Sequence, residues 1–180
     1  MGVHVESRRR KIGAAGPGAL VIDVTSKGPA PWVRLSPFYP HGGIPVPMSP
    51  GVFSASVEGI WQALKVFANA DVDAGKLQVT TMKGIKRSVR RHGEVRGHRD
   101  GLYGSNLLPY ETARRQIYLP AYRWTLEHRT ADLVDDLRRL SAERDVVLLD
   151  YTTNADVADL STPLSHAALI RLYVEDRWPD

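Results

Sequence analysis

The sequence predicts a helix-rich α+β fold, a compact single domain over residues 19–180 with several helices and a few short strands, preceded by a flexible basic tail over residues 1–18. Three observations predict it. Apolar residues recur at helical spacing in four separate segments between residues 54 and 175. Only two runs, LVIDV at Leu20–Val24 and DVVLLDY at Asp145–Tyr151, combine apolar and β-branched residues as a buried strand does. The two kinds of segment do not alternate regularly, as a βαβ architecture requires, and no internal repeat is visible.

Residues 1–18 carry a basic cluster at Arg8–Lys11 and end in GAAGPG, which reads as a tail or linker. Leu20–Val24 is the first strand, broken by KGPAP at Lys27–Pro31. Trp32–Tyr39 is expected to be extended, with Pro37 confining it to an edge or an irregular stretch. Between Pro40 and Gly51 lie four prolines and three glycines, a density that demands a structured loop. Ser54 is expected to cap a helix running to about Asn69, ended by Asp71–Gly75. Leu77–Thr81 reads as a short strand, Lys83–Arg91 as a short basic helix, and Gly93–Asn106 as a loop. Pro109 suits the first turn of a helix to His128, and Pro120 within it removes a backbone donor, so a kink or break is expected near residues 116–120. Thr130 caps a helix over Ala131–Ala142 that buries Leu133, Val134, Leu137 and Leu140. After the Asp145–Tyr151 strand and the polar TTNADVADLST loop, Thr162 and Pro163 start a last helix ending near Glu175.

Composition narrows the function. A chain of 180 residues, 43% hydrophobic and 24% charged, folds as an ordinary globular protein and not as a disordered one. The absence of cysteine excludes disulfides, thiolate metal sites and a cysteine nucleophile. No run of about 18 apolar residues appears, and MGVHVESRRRKIG lacks the apolar stretch of a secretory signal, so a soluble, cytoplasmic protein with no membrane partner is expected. The sequence lacks GxxxxGK[ST], GxGxxG, HExxH and GxSxG, and its six histidines show no metal-ligand spacing. No cofactor and no metal are therefore expected.

Carboxylate chemistry beside cations and aromatics remains. At 100° per residue, Glu58, Gln62 and Lys65 fall within about 60° of one another, with Trp61 at the edge of the apolar stripe formed by Val57, Ile60, Leu64 and Ala68. Spacing alone allows two readings, a polar pocket or a solvated face with a Glu/Lys pair. A carboxylate that orients water or stabilises an oxocarbenium-like ribosyl centre needs an aromatic wall and donors for the leaving group.

The segment LSPFYP at Leu35–Pro40, followed by SASVEGIWQALKVF, resembles the LSNFYP and SxExxxQxxK segments of the NADAR superfamily, N-glycosidases that cleave bonds between a nucleobase-like amine and ribose. Ser56, Glu58, Gln62 and Lys65 match the second motif position by position. ETARRQIYLPAYRWTLEH resembles the family's long helix, and LLDYTTNADVADLSTPLSHAALIRLYVE its closing segment, in the same order over roughly residues 32–175. Proline stands at position 37 in place of the family's asparagine, Ala155, Asp156 and Val157 replace its WG pair, and Ser165 and His166 replace glycines of its final helix. The resemblance implies Glu58 as catalytic carboxylate with Lys65 as its catalytic neighbour. It implies Ser36, Phe38 and Tyr39 as a wall under the base, Ser56 and Gln62 in the pocket beside Trp61, the aromatic that helical spacing alone puts next to Glu58, and Asp150 and Asn154 against ribose hydroxyls. Asp150 and Asn154 read equally well as a strand-end carboxylate and a turn asparagine.

From Lys76 to Asp100 there are eight Lys or Arg against two acidic residues, a local net of +6. That run reads either as a solvated face or as a site for an anionic partner, a nucleotide-like small molecule, an ADP-ribosylated base or nucleic acid, with Arg87, Arg90 and Arg91 as candidate phosphate contacts. His92, His98 and Arg99 are candidates for a mobile lid. Two functions follow: an N-glycosidase acting on a ribosylated base or amine, or a catalytically inactive module of the same fold that binds nucleic acid or a nucleotide.

Overall fold

The structure is a computed structural model describing residues 1–9, 16 and 18–179. The strands are β1 (Val3–Ser7), β2 (Leu20–Asp23), β3 (Ile44–Pro45), β4 (Phe53–Ser54), β5 (Lys65–Phe67), β6 (Val95–Arg99), β7 (Leu107–Leu108) and β8 (Val146–Asp150). The helices are α1 (Val57–Leu64), α2 (Val89–His92), α3 (Tyr110–Ala113), α4 (Leu119–His128), α5 (Ala131–Glu143) and α6 (His166–Val174). The chain is α+β, and its residues gather into two units, Met1–Ser36 with Thr130–Asp180, and Pro37–Arg129.

The first unit is built on a parallel sheet in the order β1-β8-β2. β8 is central because Val146, Val147 and Leu148 are apolar on both faces and fully buried, as a covered parallel strand requires. β1 corrects the reading of residues 1–18 as a tail. Val3–Ser7 pairs with Val146–Asp150 along its whole length, so tertiary pairing outweighs a short and polar sequence. Arg8 likewise bonds Asp23 at 2.8 Å, whereas Arg10 and Lys11 lie outside the described residues. Trp32–Leu35 forms a 3-10 turn and not an extended segment; Arg34 there grips Asp132, in the first turn of α5, through two bonds of 2.6 and 3.1 Å. α5 buries Leu133, Val134 and Leu137, whereas Leu140, expected beside them, is only half-buried. α6 starts at His166, three residues after the expected proline, because the Ser165 hydroxyl accepts from the Ala168 amide at 3.2 Å and so forms the cap.

The second unit holds the β3-β4 hairpin, an antiparallel sheet in the order β5-β6-β7, and the helices α1 to α4. α1 is shorter at both ends than expected. Ser56, not Ser54, caps it, accepting from the Gly59 amide at 3.0 Å, while the Ser54 hydroxyl is used on the carbonyls of Ser56 and Leu77. At Lys65 the backbone turns extended, and the bulky residues Val66 and Phe67 join β6. The Leu77–Thr81 stretch lies partly in a 3-10 turn, Ala74–Gln78, and the helix expected over Lys83–Arg91 shrinks to α2. β6 lies inside the Gly93–Asn106 segment, whose glycines and charges favour a loop. Its Gly97 has φ +146°, and a Cβ there would meet the Leu108 carbonyl oxygen on β7, so the glycine is what permits this pairing.

The break expected near residues 116–120 takes the form of a π turn, Arg114–Tyr118, between α3 and α4. Widening the turn ahead of Pro120 accommodates its ring and its missing donor without ending the helix.

Gly59 shows how closely α1 is packed. An added Cβ would lie 2.8 Å from the Lys76 carbonyl oxygen and 3.0 Å from both the Ser54 and Ser56 hydroxyls. Helix propensity favours alanine over glycine by about 1 kcal/mol, but overpacking costs about 1–3 kcal/mol. Gly59→Ala is therefore expected to lower the thermal midpoint by several degrees; a raised midpoint would contradict this packing.

Candidate active site

Every residue of α1 is buried, including Glu58 at 7% and Gln62 at 3% exposure. The solvated-face reading of this helix is thereby overturned. The LSPFYP segment anchors the first turn, since the Pro37 carbonyl accepts the Glu58 amide at 2.8 Å. Ser56 is fully buried and acts as the cap.

A relay runs from Glu58 into the basic segment. Gln62 Nε2 donates to Glu58 Oε1 at 2.9 Å, and Gln62 Oε1 accepts the Arg87 backbone amide at 2.9 Å. Burying an amide between two polar partners satisfies both of its ends and fixes its orientation. The Arg87 guanidinium donates to the carbonyls of Lys65 at 2.6 Å, Gln62 at 3.2 Å and Asp71 at 2.7 Å. It also lies over the Phe67 ring at 4.9 Å. Arg87 is thus chiefly a brace for the end of α1, and burial lowers its pKa although Asp73 and Asp71 oppose.

Lys65 sits where α1 passes into β5, its ammonium 5.8 Å from the Trp61 ring centre. Burial lowers its pKa; the Glu58 charge opposes this, and Lys86 and Arg87 reinforce it. Trp61 carries an aromatic cluster. His98 stacks on it at 3.8 Å between ring centres and 32° between planes, while Tyr110 and Tyr118 meet it edge-on at 5.4 and 5.7 Å. Arg114, buried, lies over Tyr110 at 5.3 Å. Burial raises the Tyr110 pKa, Arg114 opposes, and Glu58 adds to the rise.

His98 corrects the lid expectation. It lies in β6, fully buried, opposite Lys65 on one side and Leu108 on the other, and neither ring nitrogen has a partner in hydrogen-bonding geometry. Burial, helped by the Lys65 charge, pushes its pKa down to about 3, so the imidazole is neutral. Arg99 is likewise held, bonding both Asp71 carboxylate oxygens and the Ser105 carbonyl. Spacing could not reveal this cluster, because Trp61, His98, Tyr110 and Tyr118 come from three distant segments.

Phe38 and Tyr39 are half-buried; the Lys86 ammonium lies 5.4 Å from the Phe38 ring centre, and Tyr39 packs on His41 at 4.7 Å. The basic run lines a cleft of about 510 Å³ with Lys76, Lys86, Arg87 and Arg91, together with Asp73, Gly84, Ser88 and His92. Arg90 is exposed, outside that lining.

Ser36, Asp150 and Asn154 belong to the first unit. The Ser36 amide closes the 3-10 turn onto the Val33 carbonyl at 3.1 Å. Asn154 organises the polar loop, donating to the carbonyls of Asp159 and Thr162 and accepting the Asp156 amide. Asp150 accepts from the Ser165 hydroxyl at 2.8 Å and the Tyr151 amide at 2.7 Å, and pairs with His166 Nδ1 at 2.9 Å. Among the described residues, no group of three His, Asp or Glu is placed to hold a metal ion, and no helix is long and apolar enough to cross a membrane.

No curated protein and no solved structure matches the chain. The model of one family, described only as a family of unknown function (DUF6939), matches residues 5–170, and the chain belongs to that family.

Proposed function

We propose that the protein is an N-glycosidase that hydrolyses the bond between the anomeric carbon of ribose and the nitrogen of a base or amine, as the NADAR enzymes it resembles do. The observation that carries this reading is the buried Glu58 carboxylate, held by Gln62, electrostatically coupled to Lys65 and placed on the helix that also bears the Trp61 cluster. A carboxylate kept out of bulk water and fixed in orientation is suited to stabilise an oxocarbenium-like centre or to take a proton from an attacking water. In the step, water oxygen bonds to the anomeric carbon, and the C–N bond breaks with its electron pair going to nitrogen. Glu58 accepts the water proton, and the leaving nitrogen gains one from solvent or a neighbouring acid. Lys65 anchors the carboxylate electrostatically, and the buried Trp61–His98–Tyr110 cluster gives the helix that carries it an apolar backing.

The test is release of free base, followed by chromatography and mass spectrometry, from a panel of ribosylated amines, nucleoside 5′-phosphates and ADP-ribosylated bases. Release that depends on Glu58 is expected. A folded protein that releases nothing from any member of the panel counts against the reading. The basic cleft favours a second reading, a non-catalytic module of the same fold holding nucleic acid or a nucleotide, which predicts salt-dependent binding without turnover.

A further inference from the structure

The cleft beside α2 is built by three short stretches of chain. Lys76 comes from the 3-10 turn Ala74–Gln78, Lys86, Arg87 and Ser88 from the loop before α2, and Arg91 and His92 from α2 itself. Lys76 Nζ donates to the Gly84 carbonyl at 2.8 Å, so two of these stretches are tied together across the lining. Four permanent cations face one acidic residue, Asp73, a net of +3 in a single concavity. Its volume of about 510 Å³ lies in the range of small-molecule sites, about 300–1,000 Å³.

We propose that this cleft binds the diphosphate group of a nucleotide-sized ligand. Lys86 and Arg91 are exposed and, among the described residues, neither side chain makes a hydrogen bond or salt bridge, the Lys86 ammonium resting only over the Phe38 ring, so they are the groups that move onto an anion. Arg87 is already fixed by three backbone carbonyls and contributes a preorganised charge at no ordering cost, while its Nε, buried, has no partner. Ser88 adds a hydroxyl donor. Clustered cations in a bounded concavity match a compact polyanion, whereas a nucleic-acid backbone is followed by charge spread along a groove or face. The cleft also adjoins the catalytic helix, because the Arg87 amide that borders it holds Gln62, which holds Glu58. An anion here would seat one end of a substrate whose other end is a ribosyl bond. The identity of the rest of the ligand rests on the glycosidase reading; the anion chemistry does not.

Isothermal titration of the full chain with inorganic pyrophosphate, ADP and a single-stranded RNA oligonucleotide tests the assignment. Pyrophosphate and ADP are expected to compete for one site, with affinity that falls as salt rises. The double variant Lys86→Gln/Arg91→Gln is expected to weaken both by roughly tenfold or more, as loss of charge-assisted contacts does. Arg90→Gln, outside the lining, is expected to change neither. His92 gives an independent readout: burial, with Arg87 and Arg91, holds its pKa low, so a bound anion should raise it in an NMR titration. Absence of pyrophosphate binding, unchanged affinity in the double variant, or RNA binding that pyrophosphate cannot displace would each overturn the assignment. Diphosphate binding that the double variant loses, in a protein that cleaves no ribosylated amine, upholds the site and counts against the glycosidase reading alone.

Discussion

If the protein is the N-glycosidase proposed above, Glu58→Gln is expected to cut release of base from a ribosylated substrate by about 10²- to 10⁴-fold, the range associated with a positioned acid or base. The substitution is suited to the question because it changes charge and little else. A glutamine of the same length still offers an oxygen to Gln62 Nε2, so the chain of bonds from residue 58 through Gln62 to Arg87 can persist. Lys65 and Tyr110 lose the neighbouring charge to which both respond. Neutralising a buried carboxylate relieves its desolvation and forfeits its attraction to Lys65, two opposing effects, so the thermal midpoint is expected to move little. The Lys65 ammonium, no longer supported by Glu58, should titrate at still lower pH, since burial, Lys86 and Arg87 all push it in that direction. Single-turnover chromatography beside circular-dichroism melting makes the distinction. A variant that melts like the parent and turns over at the parental rate would remove Glu58 from the mechanism.

How far the sequence could be read follows from which interactions are local. α5 and β8 are legible because their apolar positions repeat at helical spacing or run unbroken, although Leu140, at the far end of the α5 stripe, is only half-buried. The π turn before Pro120 is foreshadowed because proline acts through its own backbone. β1 and β6 are not legible, since a polar pentapeptide and a glycine-rich one become strands only through partners, β8 in one case and β5 and β7 in the other. The same division holds at the site. The Glu58–Gln62 contact is a helical i, i+4 bond that spacing implies, whereas Gln62 to Arg87 spans 25 residues and depends on the fold. His98 was visible as a residue, but its burial against Trp61 required the register of β5 on β6.

Asp150→Ala is expected to destabilise the protein by about 3–5 kcal/mol, the cost of leaving half of a buried ion pair. For a chain of this size that corresponds to a drop of roughly 6–20 °C in thermal midpoint. The carboxylate stands at the end of β8 and receives the Ser165 hydroxyl, the Tyr151 amide and His166 Nδ1, while His166 Nε2 lies 2.9 Å from the Val24 carbonyl. It therefore fastens the start of α6 to the sheet, and the alanine variant leaves those donors buried without an acceptor. Burial alone would raise the Asp150 pKa, but the His166 charge and the hydrogen bonds outweigh it and hold the value below the ordinary 3.8. Burial alone would lower the His166 pKa, yet Asp150 outweighs it and holds the value above the ordinary 6.5. The depressed carboxyl contributes stability that is present above pH 3.8 and lost as pH falls through its folded pKa. The raised imidazole contributes stability that is fully present below pH 6.5 and lost as pH rises through its folded pKa. The pair thus supports the fold most strongly between those two values. In Asp150→Asn the amide retains hydrogen bonds but no charge, so burial is opposed only by the Val24 carbonyl and the Asp23 charge, and the His166 pKa is expected to fall from its parental value. The loss of stability as pH rises through the imidazole range, present in the parent, is then expected to shrink in the variant. Denaturant midpoints of parent and variant measured across that range test this, and parallel curves would show that the pair is not ionised. Because either variant weakens the fold, loss of activity on changing Asp150 does not identify a ribose contact unless the folded fraction is measured alongside.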